Sequence, residues 1–154
     1  MICQFIRKSF LDRGRIVEDD EVDEIYSITS GNIYYIKQLC YFCFNMPIGF
    51  VNGTVVKKAG ETLLSIYTPW FKQTMLDLTP NQINFIKAVI DGVQKFSSSE
   101  ILEKYNLNSS ANVFRIKDSL KKKEILTFER DDTAQILNPL FEYWLKTKYF
   151  REYN

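Results

Sequence analysis

The sequence predicts a mainly α-helical fold in two parts: a helical bundle over residues 1–78, then three short helices, a small β-hairpin and a closing aromatic helix over 79–154. Three observations carry this. Capped helix starts recur at Thr79-Pro80-Asn81-Gln82, at Ser97-Ser98-Ser99-Glu100 and at Asn108-Ser109-Ser110. Residues Glu124 to Leu137 alternate as two strands around Asp131-Asp132-Thr133, and Asn138-Pro139-Leu140 opens the last helix. Each start pairs a side-chain acceptor with the backbone N–H groups that a first helical turn leaves unsatisfied.

In chain order, Gln4 to Arg13 reads as an amphipathic helix or turn ended at Gly14, with no helix start before its apolar residues, as though an upstream part precedes it. Glu18-Asp19-Asp20-Glu21 supplies an N-cap and first-turn carboxylates to a helix carrying Val22, Ile25, Tyr26 and Ile28, which Gly31 stops. Ile33 to Phe44 is apolar almost all round, so it is expected to be buried or to face a partner. A loop over Asn45 to Asn52 contains Pro47 and Gly49. Gly53-Thr54 then opens a helix that Thr68-Pro69 breaks and restarts. The division between the two parts falls at Asp77 to Thr79.

In the second part, Thr79 and Gln82 form a capping box, with Ile83, Ile86, Val89, Ile90 and Val93 following at helical spacing. Ser97 and Glu100 form another. Leu107 is expected to plug the core between the second and third helices. On the third, Val113, Ile116 and Leu120 share the inward face. Projection at about 100° per residue puts Arg115, Asp118, Ser119 and Lys122 outward, flanked by Asn112 and Lys123 on one side and by Phe114, Lys117 and Lys121 on the other. Leu140, Phe141, Trp144 and Leu145 close the unit, and Tyr149, Phe150 and Tyr153 are expected as core or interface anchors. Three helices, a two-stranded wing and a closing helix make a winged helix-turn-helix domain.

Composition narrows the function. The chain is 45% hydrophobic and 25% charged, ordinary for a globular protein, and its net charge of +1 offers no global field for nucleic acid or an anionic membrane. Residues 79–154 carry twelve basic and ten acidic residues, a weak local bias. Histidine is absent, which removes the commonest general base and metal ligand. Cys40 and Cys43, spaced C-x-x-C in a greasy helix, read as core residues in a reducing cytoplasm, because no second ligand pair exists for a metal. No apolar run reaches the roughly 18 residues of a membrane span. Nucleotide-binding and hydrolase motifs are missing, so no catalytic residue and no cofactor is expected in this chain.

A winged helix that reads DNA sets its third helix in the major groove and its wing on phosphate. Asn112, Arg115, Ser119, Lys122, Lys123 and Arg130 are the candidate contacts, to DNA or to a protein partner. Asp118 and the wing-tip Asp131-Asp132 have the wrong sign for phosphate. Lys121-Lys122-Lys123 equally serves as a solvated helix C-terminus. A DNA-binding module, a protein-interaction module and a free-standing transcription regulator all remain open.

The whole chain resembles the C-terminal part of archaeal-type P-loop ATPases of the STAND/AAA+ superclass. Ile28-Thr29-Ser30-Gly31-Asn32-Ile33-Tyr34-Tyr35-Ile36-Lys37-Gln38-Leu39 looks like that family's helical-lid segment, in which Ile33 stands where the family commonly has proline. Leu78-Thr79-Pro80-Asn81-Gln82 and Asn138-Pro139-Leu140-Phe141-Glu142-Tyr143-Trp144-Leu145 resemble its winged-helix start and ending. The resemblance implies a helical lid followed by a winged helix, with Gly31, Asn32 and Tyr34 near a nucleotide. It also implies an upstream ATPase core as partner, with ATP and Mg belonging to the full-length parent.

Overall fold

The computed structural model describes residues 1–46 and 50–151. The chain divides into two compact units, Met1–Pro69 and Trp70–Asn154. The sequence reading divides it at 78/79 instead. The last turns of the long fourth helix carry Phe71, which packs on Phe141 and Trp144 at ring-centroid distances of 5.1 and 5.6 Å, so these turns group with the second unit.

The first unit holds α1 (Ile2–Leu11), α2 (Asp19–Thr29), α3 (Ile33–Asn45) and most of α4 (Gly53–Leu76). Its core takes Ile6 and Phe10 from α1, Val22 and Ile25 from α2, Ile36 and Leu39 from α3, and Val55, Ala59 and Leu63 from α4. Asp19, Asp20 and Glu21 occupy the first turn of α2 as expected, although Glu18, at the N-cap, makes no side-chain cap bond. The α2–α3 joint passes through Ser30 and Gly31, at φ 46° and 73°. A Cβ on Gly31 would sit 2.8 Å from the Tyr26 ring, so both backbone conformation and space demand glycine there.

Asn32 caps α3, its Oδ1 accepting from the amides of Tyr34 and Tyr35 at 3.0 and 3.4 Å. At the other end, where α3 has no basic residue in its last turn, Arg15 donates Nη2 to the Phe44 and Met46 carbonyls at 2.9 and 3.2 Å. Cys40 and Cys43 are buried free thiols, as the greasy surroundings imply. The expectation that α3 is apolar all round needs refinement: one face is buried, while Tyr34 and Tyr41 are 62% and 59% exposed. Of the expected 45–52 loop, Asn45 ends α3, Asn52 caps α4 by accepting from the Val55 amide, and residues 47–49 lie outside the described residues.

Pro69 does not break α4; it sits inside a helix that runs from Gly53 to Leu76. An interior proline costs about 3 kcal/mol through one lost bond and a clash. Burial of Val55, Val56, Ala59 and Leu63 before it and of Phe71 and Met75 after it outweighs that cost.

The second unit contains α5 (Pro80–Ile90), α6 (Ser99–Lys104), α7 (Ser110–Lys122), β1 (Leu126–Phe128), β2 (Ala134–Ile136) and α8 (Pro139–Trp144). The Thr79–Gln82 capping box is fully formed. Val93 lies beyond α5 rather than on it: Gly92, at φ 82°, turns the chain so that the Val93 amide reaches back to the Ala88 carbonyl at 3.0 Å. The cap of α6 is Ser98, accepting from the Ile101 amide, and not Ser97, so Glu100 cannot close a capping box. Three adjacent serines are equally able to cap. Tertiary anchors choose among them: Phe96 packs on Phe85 with ring centroids 4.4 Å apart, and Tyr105 donates its hydroxyl to Asp91 at 2.8 Å.

Leu107 plugs the core with no exposed surface, held between the left-handed residues Asn106 and Asn108. Ser109 caps α7, and Val113, Ile116 and Leu120 face inward as the spacing requires. The strands are shorter than the alternation predicts. Glu124, at φ 56°, is not a strand residue; it ends α7 in the left-handed conformation while the Ile125 amide bonds the Leu120 carbonyl at 3.0 Å. The antiparallel wing pairs Leu126 with Ile136, Thr127 with Gln135 and Phe128 with Ala134.

Asn138 caps α8, accepting from the amides of Leu140 and Phe141, and Pro139 takes its first position. Leu140, Phe141, Trp144 and Leu145 are buried, as expected. The helix then widens into a π-helical stretch, Leu145–Tyr149, closed by the Phe150 amide on the Leu145 carbonyl at 3.0 Å. Phe150 is buried and Tyr149 lies 5.4 Å from Trp144; Tyr153 falls outside the described residues.

Candidate docking face of the third helix

α7 is oriented by its inward stripe and by one polar tie to α5. Gln82 Nε2 donates to Ser119 Oγ at 2.9 Å. Ser119 therefore belongs to the α5 side of the helix, and the outward surface is rotated toward Phe114, Asp118 and Lys121 relative to the projected one. Asn112 is also only half exposed, and its Nδ2 donates to the Leu107 carbonyl at 3.0 Å, closing the turn before α7.

The cations on this face fall into two groups. Lys122 pairs with Asp118 at 2.7 Å one turn away, both exposed. Lys117 pairs with Asp132 of the wing loop, and its side chain is only 17% exposed. Its ammonium lies 5.3 Å from the Phe96 ring centroid and 5.4 Å from that of Phe128, so it is held between two aromatic faces and a carboxylate. Arg115, Lys121, Lys123 and Arg130 are exposed, their side chains making no hydrogen bond or ion pair among the described residues.

At the wing tip, the Thr133 side chain and then its amide, which donates to Asp131 Oδ1 at 3.1 Å, hold the Asp131 carboxyl below its ordinary range. That group stays ionised at neutral pH. Glu129 accepts from Gln135 Nε2. Phe114, 74% exposed, stands in the middle of the outward face of α7.

The family described as "probable winged helix domain" matches residues 69–147. The chain belongs to this winged helix family. The match begins at Pro69, beside the boundary between the two compact units, and ends within the π-helical stretch. No curated protein and no solved structure matches the chain.

Within the winged helix, Lys123 also edges a cavity of about 210 Å³ lined by Trp70, Phe71, Thr74, Glu124 and Ile125 among others. Of the expected contact residues, Arg115, Lys122, Lys123 and Arg130 are exposed on α7 and the wing, while Ser119 and Asn112 are engaged within the fold. Phe114 is the residue that the candidate set omitted. Its signal was present, since an apolar side chain off the Val113, Ile116 and Leu120 stripe must point away from the core.

In the first unit, Gly31, Asn32 and Tyr34 adjoin at the α2–α3 joint, where Asn32 is committed to capping and Tyr34 is exposed. Among the described residues no group of three or more His, Cys, Asp or Glu side chains gathers as metal ligands, and no helix is long and apolar enough to cross a membrane.

Proposed function

We propose that the winged helix is a non-catalytic docking module that binds a protein surface through the outward face of α7. The observation that carries this is Phe114: a largely exposed aromatic ring at the centre of the face, where a groove-reading helix would present hydrogen-bonding side chains to base edges. Two further features support it. Lys117 and Lys122 are already neutralised by Asp132 and Asp118, and Asp131 keeps negative charge at the wing tip, where a DNA-binding wing meets phosphate. An exposed aromatic amid mixed charge is the composition of a protein-binding hot spot.

The same proposal extends to a parent. The likeness of the α2–α3 segment and of the winged-helix start and ending to the C-terminal part of P-loop ATPases supports a regulatory region in a cytoplasmic ATPase, with ATP and Mg held by a separate core. A Walker A motif encoded upstream in the same reading frame is expected; a frame without one removes the ATPase parent but leaves the docking module.

DNA is the second reading, favoured by the unpaired cations Arg115, Lys121, Lys123 and Arg130. Titration of mixed-sequence duplex DNA separates the two. The docking reading expects weak binding, with a dissociation constant of about 10⁻⁴–10⁻⁶ M at physiological salt, and little sensitivity to Arg115→Ala. Tight binding that Arg115→Ala weakens, with a salt slope reduced by about one, would overturn it.

A further inference from the structure

A groove lies between α1 and α3 in the first unit, remote in sequence from the winged helix and independent of the reading given to it. It encloses about 410 Å³, and its lining combines the aromatic rings of Phe5, Tyr41 and Phe44 with two cations, Arg13 and Lys37. The Arg13 guanidinium lies over the Phe44 ring at 4.4 Å, so packing already holds it in place. Neither Arg13 nor Lys37 has a hydrogen bond or ion pair to a carboxylate among the described residues. Asp12 is the one carboxylate of the lining among the described residues.

Along α3 the exposed residues Tyr34, Lys37 and Tyr41 follow at i, i+3 and i+7, which puts them on one stripe facing solvent. Phe5, on α1, is also exposed. A stripe of two tyrosines around a lysine beside an aromatic-floored groove is more apolar than a helix facing only water requires. The uncompensated charge within it is positive, two cations against one carboxylate.

We propose that the α1–α3 groove binds an amphipathic helix of a partner protein, with its apolar face against Phe5, Tyr41 and Phe44 and its carboxylates paired to Arg13 and Lys37. In helix-in-groove recognition the bound helix supplies apolar anchors at i, i+3, i+4 and i+7, and the rings of Phe5, Tyr41 and Phe44 give such anchors an apolar floor. Charge complementarity sets the sign of the partner: an acidic flank satisfies both cations, whereas a basic one meets like charge.

The probe is a synthetic amphipathic helix about four turns long, with leucines on one face and glutamates flanking them, titrated against the full chain by fluorescence anisotropy. Its control carries lysines in place of the glutamates. The acidic peptide should bind, the lysine peptide should bind on the order of tenfold more weakly or not at all, and Lys37→Glu should remove most of that difference. Backbone amide shifts should centre on Tyr34 to Phe44. Tyr41→Ala, an exposed position, tests the apolar contact without disturbing the core, and should weaken both peptides. Equal binding of the two peptides, absence of binding, or shifts mapping away from α1 and α3 would overturn the proposal. So would concentration-dependent self-association abolished by Lys37→Glu, which assigns the groove to a second copy of the chain.

Discussion

Gln82 joins two helices by using both ends of one amide: Oε1 accepts the Thr79 amide at 2.9 Å, closing the N-terminus of α5, while Nε2 donates to Ser119 on α7 at 2.9 Å. The residue is buried, so each bond replaces one that water would otherwise make. The cap thus also fixes the rotation of α7, and with it which side chains face outward.

Two substitutions separate these roles. Gln82→Glu keeps an acceptor for Thr79 but gives Ser119 no amide donor, whereas Gln82→Ala loses both bonds. Thermal or urea unfolding should show Gln82→Ala less stable by about 2 kcal/mol, with Ser119→Ala costing about 1 kcal/mol. Strict additivity of Gln82→Ala and Ser119→Ala would show that the bond contributes nothing.

Glu124 offers the opposite sign. It holds φ 56° at the C-terminus of α7, where a side chain is strained and a negative charge meets the wrong end of the helix dipole. Glu124→Gly removes both penalties at some cost in unfolded-chain entropy, so the variant should be more stable by about 0.5–1 kcal/mol. A lower urea midpoint than that of the parent chain would refute this.

The Lys117–Asp132 pair fastens the wing loop to α7 with one partner largely shielded from solvent. Lys117→Met keeps much of the apolar stem but deletes the charge, and Asp132→Asn deletes the other charge. Hydrogen exchange of the paired amides in β1 and β2 should quicken in both variants while α5 is unchanged, a local opening of the wing. Unchanged exchange in the wing would show that strand pairing alone holds it.

Burial pushes the thiols of Cys40 and Cys43 up to about 12, against a small opposing influence of Arg13 on Cys40. Burial, reinforced by the hydrogen bond to Asp91 and its charge, likewise pushes the Tyr105 hydroxyl to about 12. Their ordinary values are 9.0 and 10.0, so over that interval the unfolded chain holds fewer protons than the folded one. Stability is therefore complete below about pH 9 and declines as pH climbs toward 12. Tyr105→Phe should flatten the upper part of that decline. At neutral pH a thiol reagent should modify half-buried Cys3 alone, and all three cysteines only after denaturation.

Much of the winged unit was legible because its signals are local. Thr79 with Gln82, Ser109 and Asn138 with Pro139 carry their helix starts in a few adjacent residues, and all of these formed. The cap of α6 slipped by one because neighbouring serines are chemically equivalent and only contacts distant in sequence distinguish them. Pro69 misled for a related reason: its penalty is local, while the burial that overrides it lies on both sides along α4. Glu124 read as strand because nothing in its side chain announces a left-handed backbone. Of the candidate contacts, periodicity put Arg115 and Lys122 outside, but it carries no information about hydrogen bonds across helices. For that reason it misplaced Ser119, missed the bond that Asn112 makes from its flank to Leu107, and undervalued Phe114.

The π-helical stretch after Trp144 amounts to one additional residue within the closing helix. Each residue advances a helix by about 100°, so the residues that follow are turned by about that angle from where regular winding would leave them. Deleting a single position between Leu145 and Tyr149 would remove that extra residue and return the helix to regular winding, with Phe150 kept near its buried seat. This segment should therefore tolerate the loss of one residue better than the gain of one.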